Sequence, residues 1–381
     1  MSTIIRTRSP FFIRTPQVTG TDLASLSYFQ INITIKGGEL LAAACPTSLG
    51  TYSLQKKPLG TEGSVTIEIS ELVNDFIEQK FINNTPLGYN ISADTQSVWV
   101  RVFTSARESD GTIIGTETTT NYLAQEGYNN FKDGVNYITE PEAMISSSFI
   151  QYKKGDYIFL PVNAEKVTSV VFIYNSSIIS TYGVSDNNNA NQKINYASYL
   201  TTSQEINFIR YEVDGVASTI NVEQIEECKY PVHKIVFLNR WGAFQDLYFF
   251  KKSTETLDSR SENFNRSIFE ARSVSYSIKE GSCTEDYAYN VYNSNAHSKK
   301  TFNSNATESI SLNSGFVPES MNPSFEELMV SEYVWLIDDN DVVYPVNLKD
   351  SSFTYKTGLN DKMINYTMNF EKSFNLVNNI R

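Results

Sequence analysis

Short segments in which apolar and polar residues alternate recur along this chain. In QINITIKGG (residues 30–38), Ile31, Ile33 and Ile35 alternate with polar neighbours before a glycine pair, and SVTIEIS (residues 64–70) repeats the pattern. A period of two is typical of a β-strand with one buried face. The composition agrees, because Tyr and Phe, with 23 residues each, favour strands over helices.

Turn residues between these segments predict antiparallel hairpins. Asp110-Gly111 follows the alternating residues 97–107, and Asp214-Gly215 lies in the middle of residues 206–225. Asp110-Gly111 is a hairpin signal, and Asp214-Gly215, between two β-rich arms, matches a type I′ turn. Short strands with frequent turns indicate β-sandwiches. We therefore predict a mainly β fold with two or three β-sandwich (Ig-like) modules and a few short helices.

The chain has 381 residues, which is long for one domain. We predict an N-terminal β-sandwich domain in residues 1–125 and a polar linker in residues 126–145. A central β domain should follow in residues 146–300, and it contains an aromatic hairpin and a polar arm of extended strands or loop. Residues 301–381 should form a C-terminal α+β or β domain, with a short helix that begins near Asn322 and Pro323.

The most aromatic segment is FLNRWGAFQDLYFFKK, residues 237–252. The continuous apolar run KIVFL, residues 234–238, overlaps the start of this segment and is typical of a strand covered on both faces. Residues 239–242 have turn chemistry. Burial in a sheet or at a subunit contact is favoured, whereas a ligand platform is the main alternative. The candidate interface residues are Arg240, Trp241, Phe244 and Tyr248. Trp241 lies in the turn, so we expect its ring to be exposed and to contact a partner protein.

Motifs that carry chemistry are not found in the sequence. Neither His233 nor His297 has a catalytic partner at a recognised spacing, and we expect no catalytic residue, no cofactor and no metal. Residues 338–341 (DDND) could hold calcium through their oxygens, but a solvated hairpin turn explains them equally well and is favoured. A catalytic group assembled in space by distant residues stays open at this point.

The three cysteines also argue against a metal centre. Cys45, Cys228 and Cys283 are odd in number and widely spaced, unlike a disulfide framework or a zinc site. We expect them to be small core residues in a reducing compartment.

Charge and hydropathy limit the partners further. The net charge is −12, so the average surface would repel DNA, although a local basic patch stays possible. The N-terminus lacks an apolar run of signal-peptide length, and no stretch is long enough to span a membrane. We expect a protein made in the cytosol without a membrane span.

Several segments together resemble virion proteins of tailed bacteriophages that infect Bacteroidetes, including crAss-like phages. They span most of the chain, and none is a catalytic signature: RSPFFI (8–13), YSLQKK (52–57), VTIEISELVNDFI (65–77), FLNRWGAFQDLYFF (237–250), ISLNSGFVPESM (310–321), LMVSEYVWLI (328–337), VYPVNL (343–348) and MINYTMNFEKSFNLVNNI (363–380).

This resemblance implies a structural protein of the phage tail or head–tail connector (neck), in a ring around the DNA channel. Its partners would be other copies of itself and virion proteins such as the portal, neighbouring tail rings or tail fibres. DNA would pass without specific binding. The protein would be assembled in the host bacterial cytoplasm and would reside in the virion. Two alternatives stay open: a tail-fibre adhesin or carbohydrate-binding module, and a polysaccharide-degrading enzyme on a β-scaffold.

Overall fold

The computed structural model describes residues 3–37, 48–79, 81, 83–84, 88–89, 97–184, 193–202, 204–267, 269–277, 284–292, 294–352, 354–355 and 363–377. Strands hold 51% of the residues and helices 8%, so the predicted mainly β fold is confirmed.

The strands, numbered in chain order, are β1 (Ile4–Arg6), β2 (Phe12–Arg14), β3 (Tyr28–Lys36), β4 (Ser48–Lys56), β5 (Thr66–Glu68), β6 (Asn83–Asn84), β7 (Gly88–Tyr89), β8 (Ser97–Arg107), β9 (Ile113–Gln125), β10 (Phe149–Tyr152), β11 (Tyr157–Asn163), β12 (Ser169–Tyr174), β13 (Ser177–Gly183), β14 (Ile194–Leu200), β15 (Phe208–Val213), β16 (Val216–Gln224), β17 (His233–Leu238), β18 (Phe244–Phe249), β19 (Thr254–Asn265), β20 (Phe269–Ser277), β21 (Thr284–Tyr292), β22 (Lys299–Asn313), β23 (Val317–Pro318), β24 (Val334–Ile337), β25 (Val343–Leu348), β26 (Met363–Ile364) and β27 (Thr367–Lys372). The helices are α1 (Asp22–Ser25), α2 (Ser70–Asn74) and α3 (Asn322–Val330), with 3₁₀ turns at Phe131–Asp133 and Glu319–Met321.

The N-terminal region is a five-stranded sheet in the order β1-β9-β8-β3-β4. Its β3 strand buries Ile31, Ile33 and Ile35 on one face, as the alternation predicts. The β2-β5 pair and helix α2 cover this face, and Val73 of α2 joins the same apolar cluster. Strand β1 lies parallel to β9 at the other side of the sheet. Residues 4–6 are thereby fixed beside residues 123–125.

The central region packs two sheets face to face. Strands β10-β16-β15-β12-β13 form the larger sheet and β11-β14 the smaller one. Ile158, Leu160 and Val162 of β11 point into the apolar cluster between them. Asp214 and Gly215 join β15 to β16 with φ angles of +48° and +80°. Two positive φ angles in a two-residue loop are the signature of a type I′ turn, so that prediction is confirmed.

The C-terminal region is a seven-stranded sheet in the order β18-β17-β24-β25-β27-β22-β19. Strands β17 and β18 form the predicted aromatic hairpin, and they pair in one sheet with strands from residues 301–381. Helix α3 covers the sheet and buries Phe325 and Leu328 in the largest apolar cluster of the described residues. Asp338 accepts hydrogen bonds from the backbone N–H groups of Asn340 and Val342 (2.9 Å each), which confirms a hairpin turn there.

Strand β17 is buried on both faces, as its continuous apolar sequence predicts. Ile235 and Phe237 face the cluster beneath α3. Val236 and Leu238 face the opposite way, toward Tyr196 of β14. The β11-β14 sheet therefore lies between the large central sheet and the seven-stranded sheet, and it joins the two regions through apolar contacts.

The cysteine prediction is wrong for Cys228, which is exposed rather than in the core. It follows β16 and lies outside the strands, between Glu227 and Lys229. Cys45 and Cys283 lie outside the described residues.

In the part of the chain that the structure describes, no helix has the length and apolar character needed to cross a membrane. The sequence-based expectation of no spanning helix agrees with this finding.

We expect Phe325→Ala to lower the free energy of unfolding by about 3–5 kcal/mol, because removal of a buried ring leaves a cavity. Phe325 is 1% exposed, and its ring contacts those of Phe249 and Tyr366 at centroid distances of 6.1 and 4.7 Å. The matched control is Phe131→Ala, since Phe131 is 99% exposed. Urea unfolding followed by far-UV circular dichroism measures both. Equal losses in the two variants would contradict the packing role of α3.

Candidate functional site

The turn of the aromatic hairpin, residues 239–242, is built by its own side chains and backbone. The Asn239 side-chain oxygen accepts hydrogen bonds from the N–H groups of Trp241 (3.0 Å) and Ala243 (3.1 Å). Gly242 takes the left-handed conformation with a φ of +76°. Asn and Gly are favoured in such positions because of local side-chain hydrogen bonding and the absence of a Cβ atom. This turn holds Arg240 and Trp241 at a fixed place on the edge of the hairpin.

The segment that follows the N-terminal sheet makes direct backbone contact with this turn. The Tyr128 N–H donates to the Arg240 carbonyl oxygen at 3.0 Å. A Cβ atom added at Gly242 would lie 2.3 Å from the Glu126 carbonyl oxygen. The side chain of Asn239 reaches the same segment further on and donates to the Met144 carbonyl oxygen at 2.7 Å. The predicted linker, residues 126–145, therefore wraps around the turn.

Two guanidinium groups lie over the ring of Trp241. The Cζ atoms of Arg6 and Arg240 are each 4.5 Å from the centre of its ring. A cation over an aromatic face is attracted by the ring's electron density, and the attraction is stronger where water is excluded. Trp241 is thus half-buried within its own chain, and its ring is less exposed than the sequence suggested. We call this arrangement the Arg6–Trp241–Arg240 stack.

Both arginines of the stack are held by carboxylates. Arg6 pairs with Glu140 at 2.6 Å, and both side chains are almost fully buried. Arg240 pairs with Asp133 at 2.6 Å in a more exposed place. Gln125 donates one side-chain hydrogen bond to Glu140 and another to the Trp241 carbonyl oxygen, at 2.8 and 3.1 Å. These contacts join β1, β9, residues 126–145 and the hairpin turn in one network.

Two further carboxyl groups at this junction have raised pKa values. Burial, with added repulsion from Glu332, raises the pKa of Glu126 to about 7, although Arg8 opposes the shift. Burial also raises the pKa of Glu327 on α3 to about 7. Hydrogen bonds from the Ser146 hydroxyl and the Arg240 N–H act in the opposite direction. As the pH rises through about 7, both carboxyl groups ionise and the junction gains negative charge.

The four candidate interface residues all make contacts inside the chain. Arg240 and Trp241 belong to the stack. Phe244 is 3% exposed and packs beside Phe81 and Trp335, at ring-centroid distances of 5.8 and 5.7 Å. Tyr248 is 3% exposed and lies in the cluster beneath α3. The sequence reasoning did not single out Arg6 or Glu140, because no local pattern links them to the turn.

The exposed surface with the most unusual geometry is a two-stranded ribbon, formed by residues 257–265 of β19 and 299–308 of β22. Strand β27 pairs with β22 from Ser309 to Asn313, and the Leu376 N–H donates to the Ala306 carbonyl oxygen at 2.8 Å. Beyond Ala306, no third strand among the described residues pairs with the ribbon. Nine residue pairs at about 3.3 Å each give a length of about 30 Å. Strands β20 and β21, which pair with each other, follow at its far end.

Apolar side chains lie on this ribbon. Leu257 is 55% exposed, Phe264 44% and Phe302 65%. The rings of Phe264 and Phe302 contact each other at 6.2 Å. Phe302 is the extra residue of a β-bulge, since Glu262 pairs with Asn303 and Asn263 with Thr301. The sequence placed extended strands or a loop in this region, but it did not identify these side chains.

Within the described ranges, no three His, Cys, Asp or Glu residues are grouped so that they could hold a metal ion. The stack consists of two guanidinium groups and an indole, and carboxylates hold both guanidinium groups. Groups of this kind can hold the N-terminal segment in a fixed position against the hairpin turn.

A scan against protein-family models and a search of curated proteins found no match to this chain. The function is therefore inferred from the chain's own residues and geometry.

We expect Gly242→Ala to destabilise the protein by about 1–3 kcal/mol more than Gly215→Ala, because of the clash with the Glu126 carbonyl oxygen. Both glycines have a left-handed φ, +76° and +80°, so the backbone strain is similar in the two variants. A Cβ atom at Gly215 meets no atom within 4 Å. Urea unfolding of both variants gives the difference. Equal destabilisation would mean that the contact with residue 126 contributes nothing.

We expect stability to fall as the pH rises from about 4.5 to about 7, and Glu126→Gln and Glu327→Gln to flatten this dependence. In each case the folded pKa of about 7 lies above the ordinary value of 4.5. The native state then binds more protons than the unfolded state within this window, and its advantage is lost as the carboxyl ionises. The loss is at most about 3 kcal/mol per carboxyl. Glutamine has no proton to lose.

Urea unfolding at intervals between pH 4.5 and 8 measures this effect as the difference between each variant and the parent protein. Glu62→Gln serves as the control, because Glu62 is exposed. Parallel pH profiles for the parent and both buried-site variants would show that these carboxyls are not the cause.

Proposed function

We propose that this chain is a structural, non-enzymatic subunit of a phage virion, in a ring of identical copies in the tail or head–tail connector around the DNA channel. The observation that carries this proposal is the exposed ribbon of β19 and β22. The resemblance of the segments quoted above to virion proteins of tailed phages supports the virion part of it.

An isolated two-stranded ribbon is marginally stable in water. All twelve residues of β19 are exposed, so side-chain burial contributes little to holding this strand. Contact with another molecule would supply the missing burial. A neighbouring subunit is the natural partner, because a ring of identical copies places one neighbour at the same position on every subunit.

Strand β19 is also the edge strand of the seven-stranded sheet. Edge strands present unpaired backbone N–H and C=O groups, and proteins usually keep them short or protected. A twelve-residue exposed edge offers a neighbouring copy a place to add a strand. Phe264 and Phe302 would then pack at the contact, since exposed aromatic rings are frequent anchors in protein interfaces.

A ring subunit also needs a body that keeps its shape when contacts form on either side. The Arg6–Trp241–Arg240 stack fixes the N-terminal segment against the hairpin turn. Arg8 extends this attachment, because its side chain pairs with Glu332 at 3.1 Å and donates to the Val330 carbonyl oxygen at 3.0 Å. Segments from both ends of the chain are thereby held together.

The charge of the chain suits passage of DNA through the ring. A net charge of −12 disfavours tight binding to phosphates. In this proposal the portal, adjacent tail rings and tail fibres are the further partners, and assembly takes place in the host bacterial cytoplasm.

Deletion of the ribbon should leave a folded protein that no longer assembles. In the test variant, residues 259–306 are replaced by Asn-Gly. The remaining partners Asp258 and Thr307 pair directly, so a two-residue type I′ turn fits between them. Negative-stain electron microscopy and size-exclusion chromatography with light scattering, over a range of concentrations, should show rings for the parent chain and monomers for the variant.

Point variants distinguish the effect of the apolar side chains on the ribbon from the effect of exposed apolar side chains in general. The Phe264→Ser/Phe302→Ser variant should weaken assembly about tenfold or more, as expected for interface anchors. The control Leu59→Ser/Phe131→Ser removes two exposed apolar side chains elsewhere and should assemble normally. A parent chain that stays monomeric at all concentrations would overturn the proposal, and tight duplex-DNA binding at low salt would overturn its channel part.

A further inference from the structure

A cavity of about 380 Å³, partly open to solvent, lies at the base of the ribbon and is lined by strands from both halves of the seven-stranded sheet. Its buried wall includes His233 of β17, Ile310 of β22 and Leu336 of β24. Its exposed rim includes Glu255 and Leu257 of β19. This volume is within the range of small-molecule binding sites, and the mixture of apolar walls with a few polar groups is typical of them.

His233 is the polar group at the buried end of this cavity. It is 5% exposed, and neither ring nitrogen has a hydrogen-bond partner among the described residues. Burial lowers the pKa of His233, against the opposing effect of Asp339, Glu255 and Asp338. The ring is therefore neutral near pH 7, with one N–H donor and one nitrogen acceptor. Buried polar atoms are normally paired, so these two nitrogens call for a partner inside the cavity.

The remaining charges in the cavity are mainly negative. Among the described lining residues, Glu255, Glu308 and Asp338 are acidic and Lys372 is the one cation. Lys372 is already paired with Glu308, and its ammonium group lies 4.2 Å from the centre of the Tyr344 ring. Glu255 and Asp338 thus have no compensating cation in that part of the wall which the structure describes. A positively charged ligand would balance them, and an anion would be repelled.

We propose that this cavity binds an organic cation: a primary ammonium or guanidinium group on a short aliphatic chain. The cationic group would lie near Glu255 and Asp338, and the aliphatic part would contact Leu257 and Leu336. His233 would form a hydrogen bond with the bound molecule. Either a free amine or the Lys or Arg side chain of a peptide has this chemistry. This inference is independent of the proposed virion function.

Isothermal titration calorimetry of the full chain with agmatine tests the proposal, and the peptide Gly-Gly-Arg-Gly-Gly, blocked at both ends, tests the side-chain source. We expect saturable binding of one molecule per chain to at least one of these cations. The neutral 1-butanol and the anionic butyrate should not bind. Tighter binding of agmatine would indicate a free amine as the natural ligand, and tighter binding of the peptide a protein side chain.

Glu255→Gln should weaken the cation about fivefold to tenfold, since it removes a charged hydrogen-bond acceptor. The matched control is Glu223→Gln, an equal change of charge at an exposed strand residue of the central sheet, and it should leave the affinity unchanged.

Nuclear magnetic resonance of the imidazole nitrogens gives a second readout, because the chain has only two histidines, His233 and His297. The cation should shift the His233 signals and leave those of His297 in place, with His233→Gln used to assign them. The proposal is overturned if neither cation binds saturably, if Glu223→Gln weakens binding as much as Glu255→Gln, or if the bound cation leaves His233 unshifted.

Discussion

Burial of the aromatic hairpin on both of its faces is the interaction on which the other features depend. Ile235 and Phe237 of β17 pack beneath α3, whereas Val236 and Leu238 pack toward the β11-β14 sheet. Each such side chain contributes roughly 1.5–3 kcal/mol when it is fully buried. Because both faces belong to β17, this one strand takes part in both apolar clusters and connects the central and C-terminal sheets. The turn between β17 and β18 is fixed at its edge as a consequence.

Polar and charged groups then attach the N-terminal region to that turn. A buried ion pair such as Arg6–Glu140 adds little net stability, because both groups lose their hydration, but loss of either partner would leave an unpaired buried charge. Such a pair tolerates few alternative arrangements. The stack on Trp241 depends on this pair, because Arg6 supplies one of its two guanidinium groups. The apolar contact therefore supplies stability at this junction, and the polar network fixes the position of the N-terminal segment.

The base of the ribbon marks the boundary between this packed body and the exposed strands. The body pairs its strands and covers its apolar faces, whereas the ribbon leaves an edge strand and the rings of Phe264 and Phe302 exposed. The cavity that contains His233 lies at the base of the ribbon. A ligand in the cavity would contact β19 and β22 where they leave the sheet. The proposed binding site and the proposed assembly surface are therefore adjacent, although each is tested separately.

The sequence by itself determined those features that depend on neighbouring residues. Alternation placed β3, Asp214-Gly215 specified the type I′ turn, and a continuous apolar run identified β17 as covered on both faces. These signals are local, because strand periodicity and turn chemistry act within a few residues.

Only the tertiary structure decided which distant groups meet. It placed Arg6 over Trp241, so that a ring expected to be exposed is half-buried, and it left Cys228 on the surface. It also paired β17 with β24 and placed His233 in the wall of a cavity. The physical reason is that periodicity shows which face of a strand is buried, but the partner is chosen by the packing of the whole chain.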